Sequence, residues 1–340
     1  MAEILVVGAG IGGLFASRLL ATTGHAVTLI ERSPAASAVG AGLVLTDAAV
    51  HRLAEAGVQV GPIAQRLTAL RVTGPRGRSL GGVAHRSALA RPELITALSD
   101  GLSELADVRF GAALQGIRRD GDRVHCTVAG EERAFDFVVA ADGIRSTVRS
   151  ALAPDVALRS ARQVCWRGIV PRRFGDAATE LWTGQERIGI VPLTGGRSYV
   201  FVTRSTQDAG DDLAPVTGVP RRDATAVEAL RSLPREALLR HELWELDRPF
   251  WGVPRIALLG DAAHAMTPNT GLGAALAIED AVVLGEAVGA GLDSAVDRHR
   301  RSRGLRVRAA QLASRTIGDF AHSERRVAVT LRKRLGLQRA

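Results

Sequence analysis

The chain has 340 residues, 46% hydrophobic and 23% charged, enough to bury a large core and to build two domains or one elaborated domain. No apolar run approaches the roughly 20 residues that a bilayer span needs, no signal-peptide pattern opens the chain, and two cysteines, Cys126 and Cys165, are too few for a disulfide framework. The net charge of +9 resides in the end of the chain, where residues 295–340 carry 13 Lys+Arg against 3 Asp+Glu; the near-neutral body has no recognition motif, so a cytoplasmic protein without a nucleic-acid partner is expected.

Taken in order, Glu3–Val7 reads as a strand, followed by Gly8-Ala-Gly10-Ile11-Gly12-Gly13, a helix over Leu14–Leu20, and a second strand ending at Glu31. Glycines at this spacing give a tight turn, close backbone approach to a pyrophosphate, and close helix–strand packing. The helix N-terminus supplies free N–H groups and the positive end of its dipole. An acid about 20 residues on is placed to accept from ribose hydroxyls. This half-motif is compatible with NAD or FAD.

A Gly-rich loop with Gly40 and Gly42 leads to a helix over Asp47–Gly57, and Pro92 suits the first turn of a helix over Arg91–Leu105. Short β-type runs occupy 108–141, with a turn at Asp120-Gly121. A buried strand then ends in Asp142-Gly143. Residues 158–250 alternate apolar and polar positions, as in Ile188–Val191 and Tyr199–Val202, and read as a β-sheet domain. A third buried strand ends in Gly260-Asp261. After it come His264, Pro268 and Gly271-Leu272-Gly273, which opens an apolar helix to Ala290. Residues 1–157 and 251–292 are thus expected to form one discontinuous nucleotide-binding domain. Its β-rich partner spans 158–250, with elements that can begin within 60–110. A basic helical segment over 293–340 closes the chain, and its arginine runs are read as solvated faces, with an anionic membrane surface or a partner protein as the alternative.

These three turns, in this order, resemble the class A flavoprotein monooxygenases, the group of para-hydroxybenzoate hydroxylase, salicylate hydroxylase and zeaxanthin epoxidase. The resemblance spans most of the chain and includes His85-Arg86-Ser-Ala-Leu89, similar to the family's helix-leading arginine near the flavin phosphates, and Trp166-Arg167-Gly168, similar to a substrate-domain strand. It implies an α/β fold, a Rossmann-type FAD-binding domain interrupted by a β-sheet substrate domain, with C-terminal helices. It further implies that NADPH or NADH reduces bound FAD, and that O2 then forms a flavin C4a-hydroperoxide that oxygenates a small electron-rich, aromatic substrate. Glu31, beside Arg32, would bind the adenosine ribose, Asp261 the ribityl-pyrophosphate region, and Gly271 to Gly273 the isoalloxazine edge. Asp142 and Gly143 would touch both FAD and the nicotinamide cofactor. Arg167, Tyr199 and Arg204 are candidate substrate contacts; no protein base, metal or oligomeric state is assigned. The sequence departs from the family in having Leu272 and Ala274 where Gln and Asn are common, leaving flavin contacts there to the backbone, and in its short length, which implies a trimmed substrate domain. A flavin-dependent reductase of double bonds on the same fold is the alternative, and a binding module without activity a third. A halogenase is disfavoured because the only lysine is Lys333.

Overall fold

The structure is a computed structural model that describes residues 1–36, 40–74, 79–184, 186–206, 224–233 and 238–338. A six-stranded sheet holds, in spatial order, Gly252–Val253, Ile256–Leu258, Phe137–Ala140, Glu3–Val7, Ala26–Glu31 and Asp107–Phe110. All its pairings are parallel except the one between the two short strands at the 252–258 edge. Ile4, Leu5, Val6 and Phe137 to Ala140 are fully buried, as strands covered on both faces must be. Helix Ile11–Thr22 links the first two strands and packs against helix Gly273–Gly289, so the two glycine turns ahead of these helices open on the same side of the sheet.

A second sheet of seven strands runs Leu239–Leu246, Leu158–Val170, Ser198–Ser205, Glu186–Pro192, Ala178–Trp182, Ala69–Thr73, Ser79–Val83. Its last two strands come from before residue 110, paired to Ala178–Trp182 by Ala69–Thr73 in parallel. Between the large sheets lies a three-stranded one, Gly42–Thr46, Arg86–Ala90 and Gln65–Arg66. A further antiparallel meander covers Leu114–Phe135.

Two expectations change. The helix begun at Arg91 stops at Ser99, because Gly101 takes a left-handed φ of 64° and a short 3-10 turn, Leu102–Glu104, replaces its continuation. The basic end is also more than a solvated face. Helix Leu292–His322 buries His299, Arg303, Val307, Gln311 and Ser314, whereas Arg298, Arg301 and Arg308 remain exposed. Helix Arg326–Arg334 buries Arg332, which donates to the Phe320 and Ser323 carbonyls and to Gln338. Leu337 is buried against Trp182. Seven residues apart on the long helix, Val307 and Ser314 keep one stripe facing inward, and the arginine-rich composition hid this stripe. No described helix is long and apolar enough to cross a membrane.

Candidate active site

The first turn is built by close approach. Gly8 has φ 102°, and a Cβ on Gly13 would stand 1.9 Å from the Gly8 carbonyl oxygen, so only glycine fits there. A Cβ on Gly12 would strike Leu259 on the strand that carries the third turn, which locks the two turns together. Gly10 differs, because a Cβ there would meet nothing within 4 Å. It lines a cleft of about 990 Å³ together with Ile11 and Gly12. Helix Ile11–Thr22 has no side-chain cap, so its first N–H groups are left for a ligand. At the end of the neighbouring strand, Glu31 accepts from Ala9 N and Ser33 N at 2.9 Å each. Burial alone would raise its pKa, but these N–H groups hold it below the usual carboxylate range. Arg32 beside it is exposed.

Asp142 ends the second buried strand. Its Oδ2 accepts from Thr147 N at 2.8 Å and from the Thr147 hydroxyl at 3.0 Å, tying down the next helix, while its buried Oδ1 has no partner. Gly143, at φ 79°, lines the cleft. Gly260, at φ 57°, turns the third strand so that Asp261 opens into the cleft. The protein mass around it pushes the Asp261 pKa up, and the nearby His264, Arg91, Arg149 and Arg167 pull it back toward the ionised form.

Pro268, Gly271 and Gly273 also line the cleft, while Leu272 turns toward the core. Helix Gly273–Gly289 starts without a side-chain cap, and a Cβ on Gly273 would meet nothing within 4 Å, so its N-terminus faces open space. The turn before it is held from three directions. Arg86 donates to the Thr270 carbonyl at 3.0 Å, Arg187 to the Asn269 side-chain oxygen, and Asn269 in turn to the Ser314 carbonyl at 3.0 Å on the long helix.

Behind the third turn lies a buried polar network that the sequence did not reveal. Asp280 accepts from Gly260 N at 3.1 Å, from Arg303 at 2.7 Å and pairs with His264. Burial would raise its pKa, but His264 and His299 hold it well below the ordinary range. Arg303 also pairs with Glu279 at 2.7 Å. His264 therefore supports the turn from behind.

Two sequence assignments are corrected. The arginine that leads a helix beside the cleft is Arg91, at the start of helix Arg91–Ser99 and within electrostatic reach of Asp261, whereas Arg86, which also lines the cleft, begins a strand and grips the Thr270 carbonyl. The Arg-Pro pair at 91–92 was the signal that could have found it. Arg204 does not reach the cleft. Successive strand residues face opposite sides, and Arg204 shares the side of Trp166, stacking 5.6 Å from its ring centroid and pairing with buried Glu186.

On the cleft side stand Tyr199, Phe201 and Thr203, with Arg167 opposite Phe201 in register. Gly42, on the small sheet, lines the cleft and packs against Tyr199 so closely that a Cβ there would stand 2.4 Å from it. Gly189 makes room for the Phe201 ring, since a Cβ there would be 1.9 Å from it. The Arg167 guanidinium lies near Tyr199, whose pKa burial pushes up, and the buried Arg167 Nε has no partner. Burial raises the Cys126 thiol to about 12 and the Cys165 thiol to about 11, so both are free but poor nucleophiles. No group of His, Cys, Asp and Glu among the described residues could hold a metal.

The uncapped helix starts and the open glycine faces along the cleft together fit a dinucleotide laid within it. The FAD binding domain model matches residues 1–310. The chain is 34% identical over 309 residues to 2-heptyl-3-hydroxy-4(1H)-quinolone synthase of Pseudomonas aeruginosa, covering 83% of this chain and 79% of that protein. It is 31% identical to aurachin C monooxygenase/isomerase of Stigmatella aurantiaca, covering 98% and 93%. A crystal structure of a Klebsiella pneumoniae HpxO variant complexed with FAD shares the fold at a TM-score of 0.87 and 24% identity, covering 99% of this chain and 94% of that one. The chain therefore belongs to the FAD-binding family of the class A flavoprotein monooxygenases and is itself an FAD-dependent monooxygenase.

Proposed function

We propose that this enzyme takes reducing equivalents from NADPH or NADH and oxygenates a flat, electron-rich aromatic ring of the quinolone kind. One observation carries the reading: a single cleft has nucleotide-type turns on one wall and, on the other, Arg167 and Tyr199 beside the Phe201 ring. Identity to the quinolone synthase supports the choice of ring.

Bound FAD supplies the redox chemistry and the activation of O2. In this reading Glu31 accepts from the ribose hydroxyls, and the uncapped helix start at Ile11 receives the pyrophosphate. Arg91, near Asp261, supplies positive charge to the same phosphate region. The start of helix Gly273–Gly289 directs its N–H groups and positive dipole end at the flavin ring, where negative charge accumulates on reduction. Gly10 and Gly143, whose Cβ positions are open, allow close approach of the cofactor. At the other wall, Arg167 stabilises an ionised ring oxygen of the substrate, which raises electron density at the carbon to be oxygenated. Tyr199 stays a neutral phenol because its pKa is pushed up, so it donates a hydrogen bond rather than accepting a proton. The Phe201 ring offers a stacking face. No side chain is required as a base if the ring binds already ionised.

The test is a screen of hydroxyquinolines, quinolones and hydroxybenzoates for stimulated NAD(P)H oxidation by the FAD-loaded enzyme, with O2 consumption recorded alongside. Ring-dependent oxidation that consumes O2 is expected; oxidation indifferent to every ring, or proceeding equally without O2, would overturn the reading.

A further inference from the structure

We infer that the cleft contains a hydrocarbon subsite, an apolar channel that leads from the ring site to the sheet edge over Gly82 and takes an unbranched alkyl tail on the substrate. The inference rests on the proposed reading of this cleft as the ring site.

The cleft side of the seven-stranded sheet is divided by chemistry. At one end, register places His241 and Thr203 on either side of Cys165, next to Arg167. Toward the opposite edge, Leu70 pairs with Ala178 and Val72 pairs with Leu80. The carboxylate in this region, Glu180, is already engaged by Arg187 and by the Trp182 indole at 2.6 Å. Arg71 borders the cleft here, with its side chain alternating to the other side of the strand. The edge strand then carries glycine opposite Leu70, at Gly82. A Cβ there would meet nothing within 4 Å, and its φ is not in the left-handed range, so neither packing nor backbone demands glycine. What glycine leaves is a notch in the rim.

Leu80, on the same face two residues from that notch, lines the cleft and is 46% exposed. Apolar side chains on a bare edge strand are costly and invite aggregation unless something covers them. A tail passing from Leu70 over Gly82 would cover Leu80. Polar or charged groups at the far end of the tail would then lie in solvent, outside the selectivity of the site.

The experiment uses FAD-loaded enzyme and 4-quinolones bearing methyl, propyl, heptyl and undecyl chains at the ring carbon next to nitrogen. Binding is read from the change in flavin absorbance. Affinity should rise with chain length by up to about fourfold per methylene and level off once the chain passes the rim. Gly82→Phe fills the notch without backbone strain, and an unchanged melting temperature checks its fold. This variant should weaken heptyl and undecyl binding at least tenfold and leave the methyl compound within twofold. Binding that ignores chain length, or a G82F variant that weakens all four equally or none, overturns the channel and leaves the ring reading standing. If no member of the series binds, the channel and the quinolone reading fall together.

Discussion

The turns that meet at the cleft are stabilised in two ways. The Gly8–Gly13 turn is held by close backbone approach: its glycines sit against one another, Ala141 and Leu259, and Glu31 accepts from the N–H groups of Ala9 and Ser33. The turns at Gly260 and Gly271 rest on residues from far along the chain, Asp280, Arg303, Arg187, Ser314 and Arg86. Damage at the first turn should therefore appear mainly as lost cofactor affinity. Damage at the second should appear first as lost stability.

The largest effect is expected at Asp280. Asp280→Ala leaves the Arg303 Nε and the Gly260 N–H without their acceptor in a buried site, and breaking one side of a buried pair costs about 3–5 kcal/mol. Urea unfolding of the apoprotein measures it. The pH dependence has a definite sign. Because the folded Asp280 pKa is depressed, its contribution is fully present above the unfolded value near pH 4 and is lost as pH falls below that range. Wild type should lose stability more steeply in that acid range than Asp280→Asn; parallel profiles would contradict the ionised network.

Next in size is loss of the chain end. Stopping after Ser323 removes buried Leu337 and Arg332 and uncovers Trp182. The cost should be about 2–5 kcal/mol, as for truncating one large buried side chain. A shortened protein with unchanged urea midpoint would return the segment to a solvated appendage.

Glu31→Ala probes the first turn. Losing a charge-assisted acceptor costs about 1.5–3 kcal/mol of FAD binding, or roughly 10- to 100-fold in affinity. The contrast requires that apoprotein stability change less than affinity does. A flavin titration beside a urea curve decides this, and the reverse order would break the distinction between the turns.

The smallest effect concerns Gly273, whose open Cβ position admits Val but moves the flavin away from the helix start. Losing up to about 2 kcal/mol of dipole stabilisation of reduced flavin lowers the midpoint potential by a few tens of millivolts, at about 30 mV per 1.4 kcal/mol. The potential is read on flavin-saturated protein, where an unchanged or raised value would remove the helix from the flavin.

The same contrast explains what the sequence disclosed. Strands ending in Glu31, Asp142 and Gly260-Asp261 were legible because buried parallel strands are continuous apolar runs and their turns need glycine or acid in fixed order. The sheet side of Tyr199 against that of Arg204 was also decidable in principle by alternation. Asp280, Arg187 and Arg303 were not legible, since each serves a partner more than 15 residues away and looks like an ordinary helix or strand charge. Arg91 was passed over because a family pattern drew attention to Arg86 five residues earlier.

The most direct test of the account is turnover of a ring that stimulates NAD(P)H oxidation, run under isotopically heavy O2 with the product mass recorded. The account predicts that one heavy oxygen atom per turnover enters the ring and that Arg167→Ala lowers the yield of labelled product relative to NAD(P)H consumed. Product without the label, or labelled product formed as efficiently by Arg167→Ala, would contradict it.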